Sequence, residues 1–287
     1  MTVREWLRKY TLIFQQTGIG EAADEATVLL CHALNLGKAQ VFAQPERILT
    51  GEELTLLDGL TTRRLRREPS SYITGHREFF GLDLLVDPRV LIPRPETEVL
   101  VDAAIEFAGL WIARNQRRLL AADIGTGSGA IATALATHVP DSKVYAVDIS
   151  PDALDVAMLN VRRHGLNDRI TPVQGNLLEQ INQKLDLIVA NLPYIPSGEL
   201  VDLQPEVRLY EPMSALDGGD SGTDVIEAIL AQAPGKTAMG GALFLEIGAG
   251  QGERLIPLVR NILPGSDIGL IKDLAGIDRC LKVVLMK

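Results

Sequence analysis

Asn191, Leu192, Pro193 and Tyr194 follow directly on the apolar run Leu185 to Ala190, so an amide, a rigid turn and an aromatic ring stand at the end of what reads as a buried strand. That combination suits the gripping of a planar amino group. An Asn carbonyl accepts one N–H of an NH2, the main-chain carbonyl of Leu192 accepts the other, and Tyr194 can lay its ring against the group's plane. Pro193 drives Leu192 to extended dihedrals and so aims that carbonyl. Groups of this shape are the exocyclic amine of a base and the side-chain amide of Gln or Asn, and the four residues leave both open. A polar loop closed by a helix-breaking proline is the plain alternative.

Upstream, Asp123-Ile124-Gly125-Thr126-Gly127-Ser128-Gly129 follows another apolar run and leads into Ala130-Ile131-Ala132, which begins a helix. Glycines there permit a tight turn and let the backbone approach a ligand. The spacing is G-x-G-x-G, shorter than the G-x-G-x-x-G of dinucleotide sites, and better suited to a nucleoside without a pyrophosphate. Asp148, 23 residues after Gly125, ends the next apolar segment. A carboxylate there can accept from both ribose hydroxyls, or cap the helix starting near Pro151. Gly175-Asn176-Leu177 offers an amide and an apolar lid where an adenine would lie, although Asn after Gly is also an ordinary turn.

Together these residues outline a pocket for S-adenosylmethionine, with Gly125, Thr126, Gly127, Ser128 and Gly129 under the methionine and ribose, Asp148 on the ribose, Asn176 and Leu177 at the adenine, and Asn191 near the sulfonium. The sulfonium methyl is already electrophilic, so the protein's task is to hold an acceptor nitrogen in line, where orientation alone supplies roughly 7–11 kcal/mol. Acceptors at Asn191 Oδ1 and the Leu192 carbonyl would polarise both N–H bonds and stabilise the positive charge growing on nitrogen. No histidine base is then required.

The elements that must position these loops are legible as alternating periods. Strands are predicted at 119–124, 143–147, 170–174, 186–190, 242–247, 267–271 and 281–286, with helices between most of them, including one opened by Pro93-Arg94-Pro95-Glu96-Thr97-Glu98. This is the pattern of an α/β, Rossmann-like sheet of seven strands, which collects ligands at the carboxyl ends of its strands. Residues 1–69 read instead as a small helical domain. Thr2 and Glu5 form a capping-box pair before the stripe Val3, Trp6, Leu7, Tyr10 and Phe14, a second helix starts near Glu21 and stops by Gly37, and a third follows Thr50 and Glu53. Residues 70–92 read as a hairpin linker, with Tyr72-Ile73-Thr74-Gly75 and Phe79 to Val86 both extended, and 93–287 as the catalytic domain. The run Arg63-Arg64-Leu65-Arg66-Arg67 suits either a solvated helix face or a docking surface for RNA or an acidic partner.

With 287 residues and a formal net charge of −9, the chain can bury a full core but is poorly suited to blanketing a phosphate backbone. Cys31 and Cys280 stand alone, which points to a reducing compartment, and His32, His76, His138 and His164 lack metal-ligand spacing, so no metal is expected. The N-terminus is charged where a signal peptide is apolar, and no run approaches the roughly 20 apolar residues of a membrane span. A cytoplasmic monomer is the expectation.

Nearly the whole chain resembles the release factor glutamine N5-methyltransferases of the HemK/PrmC type, within the class I S-adenosylmethionine-dependent methyltransferases. The resemblance lies in Tyr72 to Gly75, Leu91 to Glu98, Asp123 to Ala130, Asp186 to Ile195, Tyr210-Glu211-Pro212, Ala215 to Gly219 and Leu245 to Gly248. It implies a helical docking domain, a hairpin linker, a sheet whose last strand is antiparallel, and as substrate the Gln of a Gly-Gly-Gln motif in peptide chain release factors. The basic run near Arg63 would then belong to the docking surface. The family's usual loop is Asn-Pro-Pro-Tyr, whereas this chain has Leu192 in place of the first proline, which removes a ring and adds an N–H. Asn-Leu-Pro-Tyr also resembles the loop of rRNA adenine dimethyltransferases. N6-adenine methylation of RNA or DNA is therefore the alternative activity, and a cofactor-binding module that has lost transfer through Leu192 is a third.

Overall fold

The computed structural model describes residues 1–286, which gather into two compact units. The first joins Met1–His76 to Gln204–Tyr210, and the second holds the other described residues.

In the first unit α1 (Val3–Gln16), α2 (Ala22–Leu34), α3 (Lys38–Phe42), α4 (Gly51–Leu65) and α5 (Ser70–Thr74) pack with α9 (Pro205–Tyr210), a helix the chain reaches much later. The capping box is complete at the start of α1, with Thr2 Oγ1 accepting from the Glu5 N–H and the Glu5 carboxylate accepting from the Thr2 N–H. Val3, Trp6, Tyr10 and Phe14 then fall on one buried face, against Ala26, Leu29 and Leu30 of α2 and Leu57 and Leu60 of α4. Thr50 and Glu53 cap α4 in the same reciprocal way. Tyr72 to Thr74, expected to be extended, is instead the short helix α5, bounded by Pro69 at its N-cap and by Gly75 in the left-handed conformation at its end. Proline before and glycine after are helix punctuation. Over five residues they outweigh the β-branched Ile73 and Thr74.

Three of the four arginines of the basic run are paired within this unit. Arg64 is buried, and its guanidinium donates from Nε to Glu25 (2.7 Å) and from Nη2 to Glu206 (3.0 Å). Arg67 donates to the other oxygen of Glu206 (2.7 Å) and to the carbonyls of Thr17 and Gly18. Arg63 is paired with Glu68, and the Arg66 carbonyl accepts from the Tyr210 hydroxyl. The arginines thus hold α9 within this unit.

The hairpin of β1 (His76–Phe79) and β2 (Leu82–Leu85) leads into the second unit, followed by α6 (Thr97–Asn115), β3 (Leu119–Ile124), α7 (Ala130–His138), β4 (Ser142–Asp148), α8 (Pro151–Arg163), β5 (Ile170–Gln174) and β6 (Leu185–Ala190). After α9 come α10 (Asp224–Lys236), β7 (Thr237–Glu246), α11 (Gly252–Ile262), β8 (Asp267–Lys272) and β9 (Asp278–Val284). Seven strands form one sheet in the order β5-β4-β3-β6-β7-β9-β8. All are parallel except β9, which runs antiparallel to β7 and β8. The strands alternate between two cores: Leu187 and Val189 join α6 and α7 on one face, while Ile188 and Ala190 join α10 and α11 on the other. This is the α/β, seven-stranded arrangement the strand and helix periods imply. Among the described residues no helix is long and apolar enough to cross a membrane.

Breaking a buried ion pair from one side strands the remaining charge, at about 3–5 kcal/mol. Arg64→Ala leaves Glu25 and the inner oxygen of Glu206 without their guanidinium. Chemical denaturation of this variant is expected to show a loss of about 3 kcal/mol; an unchanged midpoint would mean the network adds nothing to stability.

Candidate functional site

Parallel pairing brings the carboxyl ends of β3, β4, β5 and β6 to one edge, since Ile124 is registered with Val147 on one side and Ala190 on the other, and Asp148 with Gln174. The loops that leave those four ends enclose a cavity of about 610 Å3. Its wall includes Gly125, Gly127, Asp148, Asn176, Leu177, Asn191, Leu192 and Pro193. Residues far apart in sequence are thereby gathered at one site of a size usual for a small-molecule pocket.

Thr126, Ser128, Gly129 and Tyr194 are placed behind that wall. Gly125, Gly127 and Gly129 all have positive φ, at 71°, 52° and 78°, so the loop doubles back in a form other residues resist. At Gly129 a Cβ would come within 3.1 Å of the Ala157 backbone, so this glycine serves the packing of the loop on α8. Thr126 and Ser128 are buried; the Thr126 hydroxyl donates to Asp123 Oδ2 (2.6 Å), and the Ser128 carbonyl accepts from Asn160 Nδ2 (2.8 Å).

Asp123 holds this turn together. Its Oδ2 also accepts from the Ala132 N–H (3.0 Å) in the first turn of α7, so one oxygen ties the strand end, the loop and the helix start, where the helix dipole favours negative charge. Oδ1 has no hydrogen-bond partner, and full burial pushes the carboxyl up to about 7 against the pull of Thr126 and Ala132. The sequence shows this acid, but its role depends on burial and became visible only in the fold.

Asp148 Oδ2 accepts from the Gly127 N–H and Oδ1 from the Ser150 N–H, both at 2.9 Å. Each oxygen keeps a further lone pair for a ligand hydroxyl. Burial raises its pKa, opposed by the N–H groups of Ser150, Gly127 and Ile149. The Ser150 hydroxyl, rather than Asp148, caps α8 through the Ala153 N–H. Leu177 sits at φ 54°, a left-handed conformation unusual for leucine, and Asn176 donates from Nδ2 to Glu179 (3.0 Å), which uses the amide nitrogen and leaves Oδ1 as the acceptor end. An acceptor amide beside an apolar lid, two carboxylate oxygens with spare lone pairs and a glycine turn are the donor set an adenosine with a short zwitterionic tail requires. S-adenosylmethionine fits these residues.

At the fourth strand end Asn191 donates from Nδ2 to Thr97 Oγ1 at 3.0 Å. Among the described residues its Oδ1 takes no hydrogen bond. Pro193 and Tyr194 are held from behind: Ile195 and Asp217 form a parallel bridge, and Gln251 Nε2 donates to the Tyr194 carbonyl (2.9 Å). A Cβ on Gly218 would lie 2.8 Å from both the Pro193 carbonyl oxygen and Tyr194 Cα, so only glycine lets the two loops meet. Tyr194 packs against the core and its phenol faces Glu246; burial first and that acid second push its pKa up to about 12. Glu246 is itself buried and raised to about 7, chiefly by desolvation, against the pull of Thr97, Tyr194 and Arg279 and with Glu96 adding to the rise. Glu211, also buried, accepts from Arg94 (2.6 Å) and the Ile92 N–H, and so anchors Pro93-Arg94-Pro95 beside the cavity wall at Pro212. Sequence spacing pointed to neither Thr97 nor Glu246 as part of the site, because both arrive from other elements.

The Asp123 carboxyl binds its proton more tightly folded than unfolded, so between about pH 4 and 7 the folded state holds the extra proton and stability falls as pH rises. Asp123→Asn removes that dependence. Thermal or chemical unfolding at about pH 5 and pH 8 is expected to show a drop smaller than wild type by roughly 2–3 kcal/mol at most; an equal drop in both would show that Asp123 is ionised throughout.

Two family models match the chain: the PrmC N-terminal domain over residues 5–75 and the Methyltransferase small domain over residues 109–204. The chain is 41% identical to a release factor glutamine methyltransferase of Geobacter sulfurreducens over 278 residues, covering 96% of this chain and 93% of that one. It is also 41% identical to one of Moorella thermoacetica over 281 residues, covering 98% and 97%. A solved methyltransferase from Pyrococcus furiosus, 20% identical with a TM-score of 0.51, covers 79% of this chain and all of its own, and shares the fold. At that identity over nearly the full length of both proteins, the chain belongs to the release factor glutamine methyltransferase family.

Proposed function

We propose that this chain transfers a methyl group from S-adenosylmethionine to the side-chain amide nitrogen of the Gln in the Gly-Gly-Gln motif of a peptide chain release factor. The carrying observation is that the Asn191 to Tyr194 site and the helical first unit both lie inside the alignment with relatives bearing that name. When bound, the cofactor would supply an electrophilic sulfonium methyl with a neutral thioether as leaving group, and the amide nitrogen that takes the methyl would lose its proton to water.

The chain's own residues do the rest. Gly125, Gly127 and Asp148 fix the nucleoside on the turn that Thr126, Ser128 and Gly129 shape from behind, and Asn176 and Leu177 hold the base. Asn191 Oδ1 and the Leu192 carbonyl accept from the incoming NH2, drawing electron density toward nitrogen and meeting the charge that grows there. Pro193 fixes the aim of the Leu192 carbonyl, and Tyr194 braces the loop through its buried ring. An amide nitrogen is a weak nucleophile, so alignment carries most of the acceleration. On this reading the protein works as a cytoplasmic monomer on a protein substrate, with no stable nucleic-acid partner.

Incubation with methyl-labelled cofactor and either a purified release factor or RNA and DNA tests the assignment. Label is expected in the release factor alone, and not in one whose Gly-Gly-Gln glutamine is replaced by Ala. Label confined to nucleic acid would overturn it in favour of adenine methylation, and cofactor binding without transfer to any acceptor would overturn it in favour of a binding module. Asn191→Ala is expected to lower kcat by about 10²-fold or more, as loss of one charge-stabilising group does, while the cofactor Kd changes by only about threefold; unchanged turnover would remove Asn191 from the chemistry. Asp148→Ala is expected to do the reverse, weakening cofactor binding by about 10-fold or more through loss of charge-assisted hydrogen bonds, with kcat at saturating cofactor largely kept. Calorimetric titration beside steady-state kinetics separates the two.

A further inference from the structure

An Asn side chain has two ends of nearly equal size and opposite hydrogen-bonding sense. If the amide of Asn191 turned over, its NH2 would face the incoming NH2, two donors would oppose each other, and the acceptor would be lost. The proposed chemistry therefore needs something that forbids that turn.

The hydrogen bond from Asn191 Nδ2 to Thr97 Oγ1, at 3.0 Å, is the observed restraint, and Thr97 is itself buried as the first residue of α6. A hydroxyl alone does not settle the matter, because it can accept from an amide nitrogen or donate to an amide oxygen. What biases the choice is the buried acid behind the pair. Register places Glu246 at this point: Ala190 of β6 pairs with Leu245 of β7, Asn191 follows directly on β6, and Glu246 is the last residue of β7. The Glu246 carboxyl faces the Thr97 hydroxyl and the Tyr194 phenol, is buried, and has an oxygen, Oε2, with no hydrogen-bond partner. Ionised, that buried carboxyl is negative charge behind the Thr97–Asn191 pair, which favours the amide N–H groups on the inward side and disfavours the amide oxygen there.

We infer that Thr97 is a positioning residue, which, with the buried Glu246 carboxyl behind it, locks the Asn191 amide with its nitrogen inward and its oxygen toward the acceptor nitrogen of the substrate. The same acid lies beside the Tyr194 phenol, so one buried carboxyl stands behind both polar ends of the Asn191 to Tyr194 loop. This inference rests on Asn191 acting as the acceptor proposed above.

The test compares Thr97→Val, nearly the same shape without the hydroxyl, with Thr97→Ser, which restores it, both assayed at about pH 8 on a release factor. Thr97→Val is expected to lower kcat by about 10- to 100-fold, in the range seen for a lost oriented donor or acceptor, with the substrate KM and cofactor Kd within about threefold of wild type. Thr97→Ser is expected to recover kcat to within about threefold. In ¹⁵N-labelled, cofactor-free protein the Asn191 side-chain NH2 signals are expected to lose their protection from exchange in Thr97→Val and to keep it in Thr97→Ser. Combining Thr97→Val with Asn191→Ala is expected to cost nothing beyond Asn191→Ala alone, since Thr97 acts only through that amide. Wild-type kcat in a folded Thr97→Val protein would overturn the inference, as would a kcat loss that Ser does not rescue or that adds in full to Asn191→Ala. Failure of the underlying reading is distinguishable, because then Asn191→Ala itself keeps its turnover.

Discussion

Strand β6 is buried at every residue, with β3 on one side and β7 on the other, and that burial forces its polar groups to be satisfied where they emerge. At its start Asp186 takes both Arg117 nitrogens and the Leu120 N–H, a set that meets its charge. At its end the first polar side chain is Asn191, which makes a single side-chain hydrogen bond, donated from its nitrogen to Thr97. One end of the strand is closed electrostatically and the other is left with an acceptor beside a cavity. The difference between an anchoring end and a working end lies in how completely the polar groups are paired.

The same economy explains the two buried acids. Asp123 and Glu246 are raised to about 7 by burial, and each retains an oxygen without a partner. A fully paired carboxylate would be cheaper to bury. Each instead stands behind a loop that forms the site: Asp123 ties the glycine turn to α7, and Glu246 sits behind Asn191 and Tyr194. Their desolvation is a local cost to stability set against fixed geometry in the loops, the usual relation between strain and function.

Much of this was legible in the sequence because it is carried by short-range pattern. Leu119–Ile124 is a mainly apolar run ended by glycine, Ile170–Gln174 is a short segment with β-branched residues also ended by glycine, and the α1 stripe follows helical spacing. Pattern failed where distance or brevity took over. Helix α5 is only five residues long, too few for a period to show. Arg64 of α4 and Arg67 just past its end find Glu206, about 140 residues away, because the chain returns there as α9. Thr97 and Glu246 meet Asn191 through strand register and the entry point of α6, which no local spacing encodes.

Leu192 shows how such distant contacts substitute for local stiffness. Replacing a proline with leucine restores a backbone freedom that the chain must then lose on folding. Here the leucine side chain is buried, and its Cδ2 lies 3.0 Å from where a Cβ on Gly125 would project, so it fills the space over the glycine turn. The next residues are held by Pro193 itself, by Gln251 on the Tyr194 carbonyl, and by the segment Leu216 to Gly219, which pairs with Ile195 and admits the loop only because position 218 has no side chain. A ring restricts one φ angle, whereas these contacts restrict the path of the whole loop. The Leu192 carbonyl therefore keeps a defined direction, because the packing around it allows the loop one course.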